Sequence, residues 1–482
     1  MRCRTPSSDR SEYRLRVARC RARIMASESE AGGSAVRLLS SFGFGLGTGL
    51  TTAAILPQPP GRAAAAAPGG STIPPMSFLR AFRNRLFTLL WSGQTISRLG
   101  DSLYRIALSW WILEETGSAA AMGALAVFSL VPMLIFLLVG GVAVDRLPRF
   151  RIMLACDTVN TMVVALVTLL AATDRLELWH VYTVSVIFGL SEAFFFPAYT
   201  ASVPQIVPPE DLPSANSLTS LSWQLSGVIG PTIGALLVAA GGTPLAFGLD
   251  STSFLISAAC LIPLRNIRPP LQSPDSPPPA RSSPLGDLRE GWRIVVGSPW
   301  LWVTILVYAF INVTDSGPRN IALPFLIHDH LGLQVAALGM VASSFSIGSV
   351  TGAVVLGRLK RIRRRALLLY GSAVVGGLMI VGYGLSPNLV VMLAVAFVYG
   401  LTFSAIALVW TNTLQEMVPP DMLGRVSSID ALGSFVLMPV GFALAGWLTD
   451  KIGPVQVFIL GGGSTVALAL LAYLHPGVRR VD

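Results

Sequence analysis

The chain has 482 residues, 52% of them hydrophobic and only 12% charged, about half the roughly 25% that a soluble domain carries. Its 35 Lys and Arg outnumber 25 Asp and Glu, for a formal net charge of +10. Gly and Pro sit within long apolar runs instead of a low-complexity region, so soluble, disordered and collagen-like chains are excluded and a polytopic membrane protein remains.

Residues 1–75 differ from everything that follows, with ten Arg, no Lys, four acidic residues and an alanine run at 63–67. The apolar stretch at 42–56 is short and broken by Gly, poor for a spanning helix and without a signal-peptide cleavage pattern. This segment reads as a disordered extension, or as one translated from upstream of a true start at Met76; a targeting role is the alternative.

From Met76 onward the chain divides into twelve apolar segments of about 20 to 25 residues, each long enough to cross a roughly 30 Å hydrocarbon core. Six, beginning near Leu86, Ala119, Ile152, His180, Leu212 and Pro244, make a bundle over 76–268. The Pro- and Ser-rich stretch after it is a linker over 269–298, within which residues 285–296 have the spacing of a short helix on the membrane surface. Six more, beginning near Trp300, Val335, Ala366, Leu389, Met422 and Val455, make a second bundle over 299–482. Backbone polar groups are satisfied this often in lipid only by spanning helices, so the expected fold is all-α. With the N-terminus in the cytoplasm, Arg80, Arg83, Arg85, Arg146, Arg149, Arg151, the run at 358–365, Arg479 and Arg480 fall inside, and only Arg175 and Lys451 fall outside. Basic short loops mark the cytoplasmic side, so both termini are expected there, in a cell membrane.

The two halves echo each other at an offset of 211: residues 207–212 match 418–423, Thr200 matches Thr411, and Gly141 matches Gly352. With six helices per half the repeat is parallel, and such halves leave a central cavity between them. A second echo, offset by 214, pairs Asp101, Ser102 and Arg105 in the first span with Asp315, Ser316 and Arg319 in the seventh. A charge at mid-membrane costs roughly 2.5 to 3.5 kcal/mol on insertion scales, which favours cavity-lining over lipid-facing positions. The alternative is a structural ion pair, since i and i+4 share a helix face. Glu192, midway along the fourth span, has no cation within a turn on its own helix and is the first candidate for proton exchange, with Asp101 the second. Asp157, expected nearer a helix end and water, Asp250 and Asp430 read equally well as packing or capping groups. Trp410 and Asn412, near the inner end of the tenth span, and Phe194, Phe195 and Phe196 are offered as substrate contacts.

The cysteines, Cys3, Cys20, Cys156 and Cys260, have neither metal-ligand nor disulfide-framework spacing. Neither lysine, Lys360 or Lys451, stands in a nucleotide-binding GxxxxGK[ST] context. His180, His328, His330 and His475 fall at expected loops or helix ends. No cofactor or metal is therefore expected, and an integral membrane enzyme is disfavoured. A proton gradient is the expected energy source. The expected partners are a small-molecule substrate, protons and the lipid bilayer, with no nucleic acid and no obligatory protein.

After the second span, Gly141, Asp145, Arg146, Arg149 and Arg151 form a sequence that resembles the GxxxDRxGRR loop of the major facilitator superfamily, with Pro148 and Phe150 as departures. Here Gly141 would permit close helix approach, Asp145 would latch onto a neighbouring helix N-terminus, and Arg149 and Arg151 would meet lipid phosphates. The second-half loop keeps Gly352 and a basic run but lacks the Asp, so any latch there is weaker. In the fifth span Gly227, Gly230, Pro231 and Gly234 are similar to the glycine-rich antiporter motif of drug:proton exporters. Stretches at 196–198, 216–217 and 248–254 resemble the branch holding macrolide-efflux and enterobactin-export proteins. The resemblance implies a twelve-helix fold whose first, fourth, seventh and tenth helices line a cavity that opens alternately to each side. It implies proton-coupled efflux of small amphipathic compounds, with Asp101, Arg105, Asp315 and Arg319 as the polar floor of the cavity. The tenth span has Phe403 where Glu192 repeats, so a proton site is expected in the first half only. The alternatives are a proton symporter importing a metabolite and a non-transporting receptor or scaffold.

Overall fold

The computed structural model describes residues 79–267, 284–358, 364–419 and 422–479. The extension at 1–75 and most of the linker lie outside the described residues, as do the side chains of Leu138, Asp145 and residues 284–288.

The described chain is helical. The first half holds α1 (Arg85–Thr116), α2 (Ala119–Arg146), α3 (Arg149–Ala172), α4 (Leu178–Ile206) and α5 (Leu212–Leu261). A surface helix, α6 (Pro284–Gly297), leads into α7 (Pro299–Gly317), which continues through two π-helical turns to His330. The second half is completed by α8 (Val335–Gly357), α9 (Arg365–Gly384), α10 (Leu389–Met417), α11 (Leu423–Phe435), α12 (Met438–Ile452) and α13 (Pro454–Leu474). Among the described residues nine helices are long and apolar enough to cross a membrane, or ten if the pair bent by 99° between α6 and α7 counts as one span.

Two physical reasons separate this number from the twelve segments expected. The fifth and sixth expected spans run together in α5, which is interrupted only at Gly242, with φ 73 and ψ 179. That combination is essentially restricted to glycine, so Gly242 turns the chain without a loop. The other reason is α1, which is 32 residues long but carries Gln94, Arg98, Asp101 and Arg105, and these lower its hydropathy.

Shifted by 211 residues, α4 (Leu178–Ile206) becomes α10 (Leu389–Met417), and Gly242 becomes Gly453, which turns the chain between α12 and α13 at φ 86 and ψ 158. The packing follows the same shift. In the first half α1 lies on α5 and α2 on α4; in the second, α7 lies on α13 and α8 on α10.

The helices alternate in direction. Arg80 pairs with Asp211, and Arg151 Nε donates to the Arg265 carbonyl, at the end where α1 begins, called here the near end. Arg425 joins Glu290 of α6 there at 2.7 Å, and Arg365 meets Glu416. At the far end the α1–α2 turn meets the end of α12. The halves touch along α5 and α8 and along α2 and α12. An apolar core drawn from both halves, including Tyr104, Ala235, Ile321 and Phe345, fills the space between them.

Candidate functional site: charged centres within two helix bundles

In the first half the polar face of α1 is built against α4 and α5. Arg98, 7% exposed, lies 4.8 Å over the Tyr199 ring of α4 and 4.3 Å over the Trp223 ring of α5. Cation–π contact of this kind holds a guanidinium without consuming its N–H donors. Asp101, half-buried one turn further on, is within electrostatic range of Arg98 and Arg105, and so is Glu192 of α4. Glu192 has no cation on its own helix, as its neighbours suggested, but α1 supplies two. The Arg105 side chain is turned to Ser102 Oγ, 3.1 Å from Nη2.

Two further carboxyls stand behind this group. Asp157 of α3 is 1% exposed and in electrostatic range of Asp101 and Glu192, not at a watery helix end as expected. Its helix packs along α4 and α5, which close over it. Asp250 of α5 is 0% exposed and in range of Asp101 and Arg105. Each keeps one carboxyl oxygen without a hydrogen-bond partner. Asp250 comes this close to α1 because residue 100 is glycine: a Cβ there would fall 2.5 Å from Asp250 Oδ1.

The second-half pair forms a separate centre. Asp315, 8% exposed, accepts from the Tyr399 hydroxyl, 2.6 and 2.7 Å from its two oxygens. Arg319 Nη2 is 3.9 Å from Asp315 Oδ2, an ion pair too long for a hydrogen bond. The guanidinium lies 5.2 Å from the Phe345 ring and 5.4 Å from the Tyr399 ring. The structure therefore brings Asp101, Arg105 and Glu192 together within the first half and places Asp315 and Arg319 inside the second. Among the described residues no hydrogen bond or ion pair joins the Asp101 and Arg105 pair to the Asp315 and Arg319 pair.

Several other expectations change in detail. Trp410 donates from Nε1 to Asp430 at 2.9 Å, which ties α10 to α11, while Asn412 is half-buried nearby. Close approach after the second span is made at Gly140, where a Cβ would fall 2.0 Å from the Ala193 carbonyl; at Gly141 a Cβ would meet open space. Arg149 Nη1 donates to the Ala201 carbonyl at 2.9 Å, joining α3 to α4 instead of reaching for lipid. Arg146 is exposed, and the side chain of Asp145 lies outside the described residues. The glycine-rich stretch of α5 sits between α1 and α8. A Cβ on Gly230 would fall 2.4 Å from that of Ser102, Gly227 and Gly234 face Ser346 and Leu103, and Gly339 of α8 lies against the Pro231 carbonyl. The Thr232 and Ser343 hydroxyls are 2.8 Å apart across the same seam.

Two features at the far end carried no warning in the sequence. Asp450, at the end of α12, accepts from Ser118 Oγ at 2.8 Å and from the backbone N–H groups of Ala119 and Ala120 at 2.6 and 3.0 Å. A second-half carboxylate thus caps the N-terminus of a first-half helix, where the helix dipole favours negative charge. Beside it is a cavity of about 420 Å³ lined by Gly117, Ser118, Asp329 and Asp450 among others. Tyr399 was likewise missed, because its partner Asp315 is 84 positions away and its repeat counterpart is the non-polar Phe188.

A profile described as transmembrane secretion effector matches residues 76–400. Macrolide efflux protein A of Streptococcus pyogenes is 25% identical over 403 residues, covering 82% of this chain and 97% of that protein. The multidrug efflux pump Tap of Mycolicibacterium fortuitum is 25% identical over 412 residues, covering 83% and 98%, and the enterobactin exporter EntS of Shigella boydii is 27% identical over 389 residues, covering 80% and 91%. In fold the chain is similar to a bacterial homologue of the iron transporter ferroportin, with a TM-score of 0.62 at 16% identity over 81% of this chain and 99% of that one. It is also similar to a bacterial homologue of the lysosomal transporter Spinster, with a TM-score of 0.60 at 17% identity over 83% and 98%. The chain belongs to the transmembrane secretion effector family and is a multi-pass membrane transporter of the efflux branch of the major facilitator superfamily.

Proposed function

We propose that this chain exports small amphipathic compounds, of macrolide, drug or siderophore type, in exchange for protons. The observation that carries the reading is the meeting of Asp101 and Glu192 with Arg98 and Arg105 midway along α1 and α4. When Glu192 holds a proton, the two guanidinium groups are left to Asp101; when it does not, two carboxylates share them. Each proton therefore changes the charge balance of the first-half centre, and a transport cycle needs such a difference in order to favour one conformation over another.

The helices form two six-segment repeats, supported by the shared offset of α4 and α10 and of Gly242 and Gly453. Alternating access follows as a rocking of one repeat against the other. The near end, with its basic loops, faces the cytoplasm of the cell membrane and carries both termini. The far-end joints, Asp450 on the α2 N-terminus and Thr232 with Ser343, are contacts that opening toward the outside would break. Energy comes from the proton gradient without a cofactor.

Proteoliposomes loaded with substrate test the assignment. Glu192→Gln is expected to abolish gradient-driven efflux while substrate binding stays measurable in detergent. Efflux still coupled to the gradient would remove Glu192 from the mechanism, and gradient-driven uptake by the unaltered protein in place of efflux would favour the symporter.

A further inference from the structure

We propose that Arg319 binds an anionic group on the transported compound, so that aromatic carboxylates are among the substrates of this transporter. The inference rests on the exporter reading above and adds a substrate class to it.

Arg319 Nε and Nη2 are buried and have no hydrogen-bond partner. These two atoms lie on one edge of the guanidinium, the edge that makes two parallel N–H···O bonds to a carboxylate. Arginine does not shed its charge to escape burial, and leaving charged donors unmet costs more than leaving neutral ones. An acceptor therefore meets this edge during the cycle.

Asp315 is poorly placed to be that acceptor. It stands 3.9 Å from Nη2, and the Tyr399 hydroxyl lies 2.6 and 2.7 Å from its oxygens. Drawing Asp315 onto the arginine would strip a buried hydroxyl of its partner. An incoming carboxylate has no such cost, and it would enter beside an aromatic wall, since the Phe345 and Tyr399 rings, stacked 5.5 Å apart, both lie against the guanidinium. Phe403 packs against both of those rings and extends the aromatic wall.

The local backbone fits a working position. Arg319 lies in the π-helical turn Pro318–Ala322, a widened turn of a kind that recurs at functional sites. The first-half counterpart, Arg105, is exposed and already meets Ser102. Because Arg319 is closed off in this conformation, the anion reaches it in another state of the cycle.

The test uses the full chain in proteoliposomes with an imposed proton gradient and two fluorescent probes, anionic fluorescein and cationic ethidium. In Arg319→Gln the ratio of half-saturating concentrations, fluorescein over ethidium, is expected to rise about tenfold, the loss of a charge-assisted hydrogen bond. An equal loss for both probes would make Arg319 structural and overturn the inference, as would a wild-type protein that exports ethidium but neither exports nor binds fluorescein. A wild-type protein that moves neither probe along the gradient would overturn the exporter reading and this inference with it. Should Arg319→Gln not fold, Arg319→Lys keeps the charge without the two-pronged edge. Its anisotropy-measured affinity for fluorescein in detergent is expected to fall about tenfold relative to ethidium, and an unchanged ratio is the overturning result.

Discussion

Gly100 shows how a single missing side chain sets the electrostatics of the first half. A Cβ there would fall 2.0 Å from Ser253 Oγ and 2.5 Å from Asp250 Oδ1, so an alanine must push α5 away from α1 or rotate both polar groups. Overpacking of this kind typically costs about 1–3 kcal/mol. Gly100→Ala is therefore expected to lower the melting temperature of the detergent-solubilised protein, whereas Gly371→Ala, where nothing lies within 4 Å of the new methyl group, is not. Equal melting temperatures for the two variants would mean that the α1–α5 seam is loose. At this scale the sequence was informative about charge and silent about partners. The Asp101, Arg105 and Glu192 positions stood out because ionisable groups are rare at mid-membrane. The role of Arg98 is not legible in the sequence, since its aromatic partners Tyr199 and Trp223 are supplied by other helices.

Helix ends carry the next level of the argument, and the α2 N-terminus is the clearest case. Its first backbone N–H groups have no partner within the helix, and Asp450 from the other half meets them. A carboxylate at an exposed helix N-terminus such as this is worth about 0.3–1 kcal/mol, which shifts a two-state equilibrium about two- to fivefold. Asp450→Asn keeps the size and removes the charge. It is expected to raise the population of the far-end-open state about two- to fivefold. Spin labels at the exposed positions Glu115 and Lys451, one on each half, read this as a longer-distance component. An unchanged distance distribution would reduce Asp450 to an ordinary cap. Most helix starts were legible, with the expected His180 and Val455 lying within two residues of the observed Leu178 and Pro454. Hydropathy reports how apolar a segment is, so it located these starts well. It also placed a new span near Pro244, two residues past the turn at Gly242, and a first span near Leu86, one residue from the start of α1.

Across the whole molecule, two asymmetries bear on the direction of transport. The first half carries the carboxyls Asp101, Asp157, Glu192 and Asp250, while the 211-residue shift puts Leu368, Phe403 and Gly461 where the last three repeat. The near end carries Arg80, Arg146, Arg151, Arg265, Arg358 and Arg425, against Arg175 and Lys451 at the far end. Short basic loops stay in the cytoplasm as a rule, so the charge asymmetry makes the end joined by Asp450 the expected outer one. Orientation then decides on which side of the membrane the Asp450 joint has to part. In a cysteine-free background, Asp174→Cys in the turn after α3 is expected to react with a membrane-impermeant maleimide on intact cells. Arg358→Cys at the end of α8 is expected to react only after permeabilisation. The opposite pattern would turn the end joined by Asp450 toward the cytoplasm and overturn the expected orientation.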